Sequence, residues 1–159
     1  MGSARAIEKY CTACYTTQIM NSEQRRKIVQ AACEIRKHAH APYSKFQVGA
    51  ALLTASGKVF TGCNVENASY GLTICAERAA VFSAVAAGEG KAGEANDWVA
   101  MAVATPGGHS PCGACRQVLV EFAPALPILL VDSDRPDSPD GVRETDMATL
   151  LPGRFIFSK

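Results

Sequence analysis

Three cysteines restrict what this chain can fold into more than any other residues do. Cys75 opens "CAERAAVFSAVAAGEG", a run of good helix formers ending in glycine. Cys112 and Cys115 open a second helical run in "PCGACRQVLVEFA". Both runs follow a strand or a loop leaving a strand, so the two helix starts can meet at one edge of a sheet. Three thiolates with one position open is the arrangement of a catalytic zinc, whereas a closed structural site shows four ligands. Glu77 lies two residues after Cys75. Side chains two apart within a helix point away from each other. Both face one metal only if Cys75 is the cap and Glu77 lies in the first turn, which places the metal off the helix N-terminus.

Three thiolates leave a divalent zinc with a net charge of roughly −1, which weakens it as a Lewis acid. Two helix N-termini, each worth about half a positive charge, would offset this. Arg78 is the nearest cation in sequence and is expected to hydrogen-bond the thiolates, with Arg116 as a second candidate. The chain has seven cysteines, an odd count with no extracellular context, which favours metal or catalytic roles over disulfides. The pair in "CTAC", Cys11 and Cys14, reads as incidental. A structural zinc built from Cys11, Cys14, Cys112 and Cys115 is the alternative, but it ignores "CAE". Cys33 and Cys63 read as packing residues.

The remaining chain supplies a frame for these ligands. Its 159 residues make one domain. Residues 1–20 lack periodicity and read as a loosely ordered arm, which leaves the domain at 21–159. A helix is expected over 21–40, capped by Asn21 or Ser22, with a stripe of Ile28, Ala32, Ile35 and Ala39, and stopped by Pro42. Phe46, Val48, Ala50 and Leu52 alternate in a strand over 45–54. A turn at "ASG" leads to a second strand over 58–65. After the Cys75 helix come a strand over 97–105, the glycine-rich loop "PGGHSP", the Cys112 helix, a strand over 127–132, a surface loop over 133–145 and a short final helix. The order α-β-β-α-β-α-β-α favours a three-layer α/β sandwich, and the hairpin makes its sheet mixed. Net charge is +1, so no electrostatic footprint points to a nucleic acid polymer or an anionic membrane. No apolar stretch approaches the roughly 20 residues of a membrane span, and no secretory signal opens the chain. A cytoplasmic protein is expected.

Cys-x-Glu at one helix start, then Pro-Cys-x-x-Cys at another, is the described signature of zinc nucleobase deaminases, a known pattern rather than a deduction from spacing. Around it the chain resembles the cytidine deaminase family of the small homotetrameric type. The match runs from about Tyr43 to Phe155 through "PYSKFQVGAALL", "GCNVENASY", "ICAER", "SPCGACRQV" and "LLPGRF", in family order. The resemblance implies a three-layer α/β/α sandwich with a mixed, mostly five-stranded sheet, and hydrolytic deamination of cytidine and deoxycytidine at C4 with release of ammonia. Cys75, Cys112 and Cys115 would hold one zinc per subunit, with Glu77 as proton shuttle. Asn64 and Glu66 match an Asn-x-Glu that bonds the ribose hydroxyl. Phe46 matches an aromatic that packs on the pyrimidine, and the backbone around Ala76 and Cys112 would contact the base. Tyr70 and Phe155 match residues that reach into a neighbouring subunit's site. Taken alone, Phe46 reads as a core residue and Asn64 and Glu66 as a polar turn. The short ending and "VDSD" also resemble blasticidin S deaminases, which share the zinc site but typically lack the Asn-x-Glu. The third reading is a non-catalytic zinc scaffold.

Overall fold

The computed structural model describes residues 20–90 and 98–155, so Cys11, Cys14 and nearly all of the expected arm lie outside the described residues. The first helix, α1 (Ser22–Arg36), starts at a capping box. Asn21 Oδ1 accepts from the Gln24 amide at 2.8 Å, and Gln24 Oε1 accepts from the Asn21 amide at 3.0 Å. Of the expected stripe, Ile28 and Ala32 are buried, while Ile35 and Ala39 are only partly covered. The helix ends at Arg36, four residues short of the expected end, and Ala39 lies beyond it.

β1 (Gly49–Thr54) and β2 (Val59–Cys63) form the expected hairpin. The strand expected from Lys45 begins only at Gly49. Over the missing stretch the Asn64 side chain takes the place of a strand partner: Nδ2 donates to Phe46 O at 2.9 Å and Oδ1 accepts from Val48 N at 2.8 Å. Every residue of β1 is buried, so its alternation sorts side chains between two cores. Ala50 and Leu52 join one cluster, Ala51 and Leu53 the other.

The sheet has five strands in the order β2-β1-β3-β4-β5, with β3 (Trp98–Thr105), β4 (Pro127–Asp132) and β5 (Val142–Asp146). β3 and β4 are parallel and every other pair is antiparallel. β5 occupies the end of the stretch read as a surface loop. It is an edge strand with Arg143 and Glu144 exposed, so it lacks the apolar alternation that marks a strand in sequence. The Arg25–Glu144 ion pair, 2.8 Å long, ties it to α1.

Helix α1 covers one face of the sheet through Ile28 and Ala32. The opposite face carries α2 (Ala76–Ala86), α3 (Gly113–Phe122) and α4 (Met147–Leu150) through Ala80, Val81, Leu119 and Met147. The result is the expected three-layer α/β/α sandwich with a mixed sheet. No described helix is long and apolar enough to cross a membrane.

Two glycines let helices approach the hairpin. A Cβ on Gly49 would lie 2.1 Å from Ala32 O, and one on Gly62 would lie 2.5 Å from Ala76 O and from Ala80 N. The second contact sets the depth of α2, the helix that begins at Cys75. Gly62→Ala is expected to lose about 1–3 kcal/mol in urea unfolding, the usual cost of overpacking. Gly71→Ala, where a Cβ meets nothing within 4 Å, should stay within about 0.5 kcal/mol of wild type.

Candidate active site

Cys75 is the N-cap of α2 and Cys112 the N-cap of α3, both with extended backbone and neither using its side chain as a cap. The sulfurs are therefore free to turn toward each other. Those of Cys75, Cys112 and Cys115 all lie within 4.8 Å of one another, with Cys75 and Cys112 3.9 Å apart. Cys115 is buried, Cys75 half-buried and Cys112 exposed, so the cluster opens to solvent on the Cys112 side. The first-turn amides of two helices face the same region, which favours negative charge there. Cys75 and Glu77 take the cap and first-turn positions that the spacing requires.

The electrostatics split the thiols. A hydrogen bond from the Cys115 thiol, reinforced by the Arg78 guanidinium and opposed by burial, brings the Cys75 thiol down to about 5. Cys115 is pushed up, first by donating to Cys75 and then by burial. A set of three soft sulfur donors within a few ångströms, one open to solvent, suits zinc, whose binding would displace the remaining thiol protons.

Arg78 Nη2 donates to Cys75 Sγ at 3.4 Å and to Thr73 O at 3.3 Å. Among the three sulfurs, the one it hydrogen-bonds is that of Cys75. Arg116 does something else. It donates to Pro111 O at 2.7 Å, Leu150 O at 2.8 Å and Ser110 Oγ at 2.9 Å, so it clasps the start of α3 to the end of α4 and leaves the sulfurs alone. Glu77 is 4 % exposed. Burial raises its carboxyl above the ordinary carboxylate range, and the charge on Cys75 adds to the effect. A carboxyl held this way takes up and releases protons more readily near neutral pH than an exposed one.

The Asn64–Glu66 turn lies beside Phe46. Asn64 is buried and spans Phe46 and Val48 as described above. Glu66 Oε2 accepts from Tyr43 N at 2.8 Å and Ser44 N at 3.2 Å, while Oε1 accepts from the Ser44 hydroxyl. Ser44 Oγ in turn accepts from Phe46 N at 3.0 Å across Lys45, whose φ of 59° lies in the left-handed region. The turn that resembles a ribose-binding motif is therefore also the clamp that places Phe46. Phe46 keeps 37 % of its surface exposed, which a core residue would not. Ala76 is buried at the start of α2. Tyr70 and Phe155 are 77 % and 72 % exposed, and Tyr70 lies edge-on to Tyr43 at 6.2 Å. Tyr43, Ser44, Glu66, Tyr70 and Thr73 line a cavity of about 440 Å³.

Sequence reasoning passed over the residues that hold the loop before Cys112. Asp132 Oδ1 accepts from Gly107 N at 2.9 Å, Thr105 Oγ1 accepts from His109 N at 2.7 Å, and Arg143 Nη2 donates to Gly108 O at 2.7 Å. Thr105 and Asp132 end the two parallel strands, where a polar residue closing an apolar run is the signal available. Arg143 carries no such signal.

The family model described as "Cytidine and deoxycytidylate deaminase zinc-binding region" matches residues 22–129. The chain is 43 % identical over 132 residues to a cytidine deaminase of Sporosarcina psychrophila, covering 81 % of this chain and 89 % of that one. A probable cytidine deaminase of Dictyostelium discoideum is 44 % identical over 139 residues, 86 % of each. The crystal structure of a cytidine deaminase from Burkholderia pseudomallei superimposes with a TM-score of 0.71 at 48 % identity, over 82 % of this chain and 98 % of that one.

Metal analysis of the purified protein should find about one zinc per chain. Cys115→Ala is expected to bring the content close to zero, whereas Cys33→Ala should leave it unchanged.

Proposed function

The chain belongs to the cytidine and deoxycytidylate deaminase family, and from that premise we infer that it hydrolyses cytidine and deoxycytidine to uridine and deoxyuridine with release of ammonia. The observation that carries this reading is Glu77, buried and with its carboxyl held above the ordinary carboxylate range, in the first turn of the helix that Cys75 caps. Cys75, Cys112 and Cys115 would hold the zinc. When bound, it supplies acidification of water at neutral pH. The chain's own groups do the remaining work. Glu77 takes a proton from the attacking water and delivers one to ring N3, which makes C4 electrophilic. It then helps protonate the amino group, which departs as ammonia while the water oxygen stays on C4. Arg78 draws electron density from Cys75, and two helix N-termini share in balancing the sulfurs.

Phe46 packs on the face of the pyrimidine. Asn64 and Glu66 bind the ribose hydroxyl, and the backbone around Ala76 and Cys112 reads the base. Glu66 is then shared between substrate and the Tyr43–Ser44 backbone, so its loss costs both a contact and the placement of Phe46. The catalytic unit spans 21–159 and works in the cytoplasm as a homotetramer. The exposure of Tyr70, Leu72 and Phe155 supports this assembly, because a lone chain leaves their apolar surface in water. Tyr70 and Phe155 reach into a neighbouring subunit's site.

Ammonia release from cytidine by the zinc-loaded protein tests the reading. Glu77→Gln should keep its zinc and lose about 10²–10⁴-fold in kcat. A folded, zinc-containing wild type that leaves cytidine untouched but turns over blasticidin S would replace the nucleoside with that substrate. Retained activity in Glu77→Gln would remove the proton-shuttle role.

Shared sites give a second test. Phe155→Ala and Glu77→Gln subunits, each nearly inactive alone, should regain part of the activity when co-assembled, since a mixed site receives Glu77 from one chain and Phe155 from its neighbour. Strict additivity of the two low activities would show that each chain's site is complete by itself.

A further inference from the structure

We propose that His109 is a positioning residue for the pyrimidine, its ring forming a second aromatic wall that holds Phe46 at the angle the base requires; this rests on the deaminase reading above. The His109 and Phe46 ring centroids are 6.1 Å apart with the planes inclined at 46°. That separation is within the range over which aromatic rings interact. The two rings come from segments that adjoin the paired strands β1 and β3. Phe46 stands just before β1, and His109 lies in the loop between β3 and α3, three residues ahead of Cys112.

His109 is exposed, yet its backbone is held more firmly than an exposed loop residue needs. Thr105 Oγ1 accepts from its amide at 2.7 Å. On one side Asp132 holds Gly107 N at 2.9 Å and Arg143 holds Gly108 O at 2.7 Å. On the other, Arg116 holds Ser110 Oγ at 2.9 Å and Pro111 O at 2.7 Å. Gly107 and Gly108 both adopt left-handed φ, 75° and 65°, which turns the chain sharply just before His109. A Cβ on Gly107 would lie 3.4 Å from His109 Nε2, so the ring folds back over the glycine instead of extending into solvent. Groups from β3, β4, β5 and α3 thus converge on five consecutive residues, and the side chain they present lies against Phe46.

Phe46 is clamped through its backbone by Asn64 and Ser44, but its ring is partly exposed and needs a neighbour to fix its inclination. His109 supplies that neighbour. A planar ring lying on Phe46 then finds the stacking surface already oriented, so removal of the wall weakens binding and spares the proton transfers at Glu77.

The test compares His109→Ala, His109→Phe and His109→Gln with wild type, measuring kcat and KM for cytidine, the dissociation constant of uridine, zinc content and Tm. His109→Ala and His109→Gln should raise KM and the uridine constant about 3–10-fold, with kcat within about twofold. His109→Phe should stay close to wild type, because the role needs an aromatic ring and not the ring nitrogens. Unchanged KM in His109→Ala overturns the proposal. So does a pattern in which Gln preserves KM and Phe does not, since that would make a polar contact the operative one. Loss of zinc or a large fall in Tm in both His109→Ala and His109→Gln would make the residue a structural part of the loop and overturn it as well. A wild type that neither binds nor deaminates cytidine would refute the deaminase reading itself, and is told apart by failing before any variant is compared.

Discussion

Mutual repulsion among three converging sulfurs is the constraint on which the site depends. Two unit charges about 4 Å apart repel by roughly 4 kcal/mol at the effective dielectric near a protein surface. Cys75 and Cys112 are 3.9 Å apart, and Cys115 shares a proton with Cys75. The fold answers this with fixed positive ends. Two helices begin at the cluster, and Arg78 reaches Cys75 from the first turn of α2. Those helices must stop at a defined depth against the sheet, and for α2 the depth is set by a glycine, Gly62, which admits backbone contact with Ala76 and Ala80. A divalent cation completes the balance and allows all three sulfurs to ionise.

The burial of Glu77 follows from the same arrangement. A carboxyl in the first turn of a helix, buried and beside Cys75, is held above the ordinary carboxylate range. That would be an unsatisfied cost in a structural glutamate. Under the proposed reading, a group that alternates between taking and giving protons would use it. Around this centre the chain uses side chains where regular pairing runs out. Asn64 stands in for a strand ahead of β1, Glu66 and Ser44 fix the turn that carries Phe46, and Thr105, Asp132, Arg143 and Arg116 fix the loop that carries His109 and Cys112. Several of these clamps join residues far apart in sequence, so the backbone under each aromatic is tied to other elements.

Much of this was legible beforehand, and the limits have physical causes. The helix starts, the hairpin and the central strands are local patterns, set by capping residues, turn residues and apolar periodicity. The cap position of Cys75 follows from the two-residue spacing to Glu77, because no other helix position lets both face one metal. β5 escaped notice because an edge strand exposing Arg143 and Glu144 has no apolar rhythm. The start of β1 was misplaced because the alternation of Phe46 and Val48 is real, while their hydrogen-bond partner is a side chain. Arg116 was a second candidate for the sulfurs because sequence proximity does not reveal direction, and its guanidinium points to the end of α4.

By itself, then, the sequence determined that three cysteines and a glutamate stand at two helix starts, in types and spacings that admit few uses besides a metal site. Tertiary structure alone decided how those groups differ. Three cysteines alike in sequence become one half-buried, one buried and one exposed, with the Cys75 thiol pulled down and the Cys115 thiol pushed up. Glu77, ordinary as a first-turn glutamate, is buried and has its carboxyl raised by that burial. Proton affinity and exposure depend on what surrounds a group from every direction, and most of those neighbours arrive from distant parts of the chain.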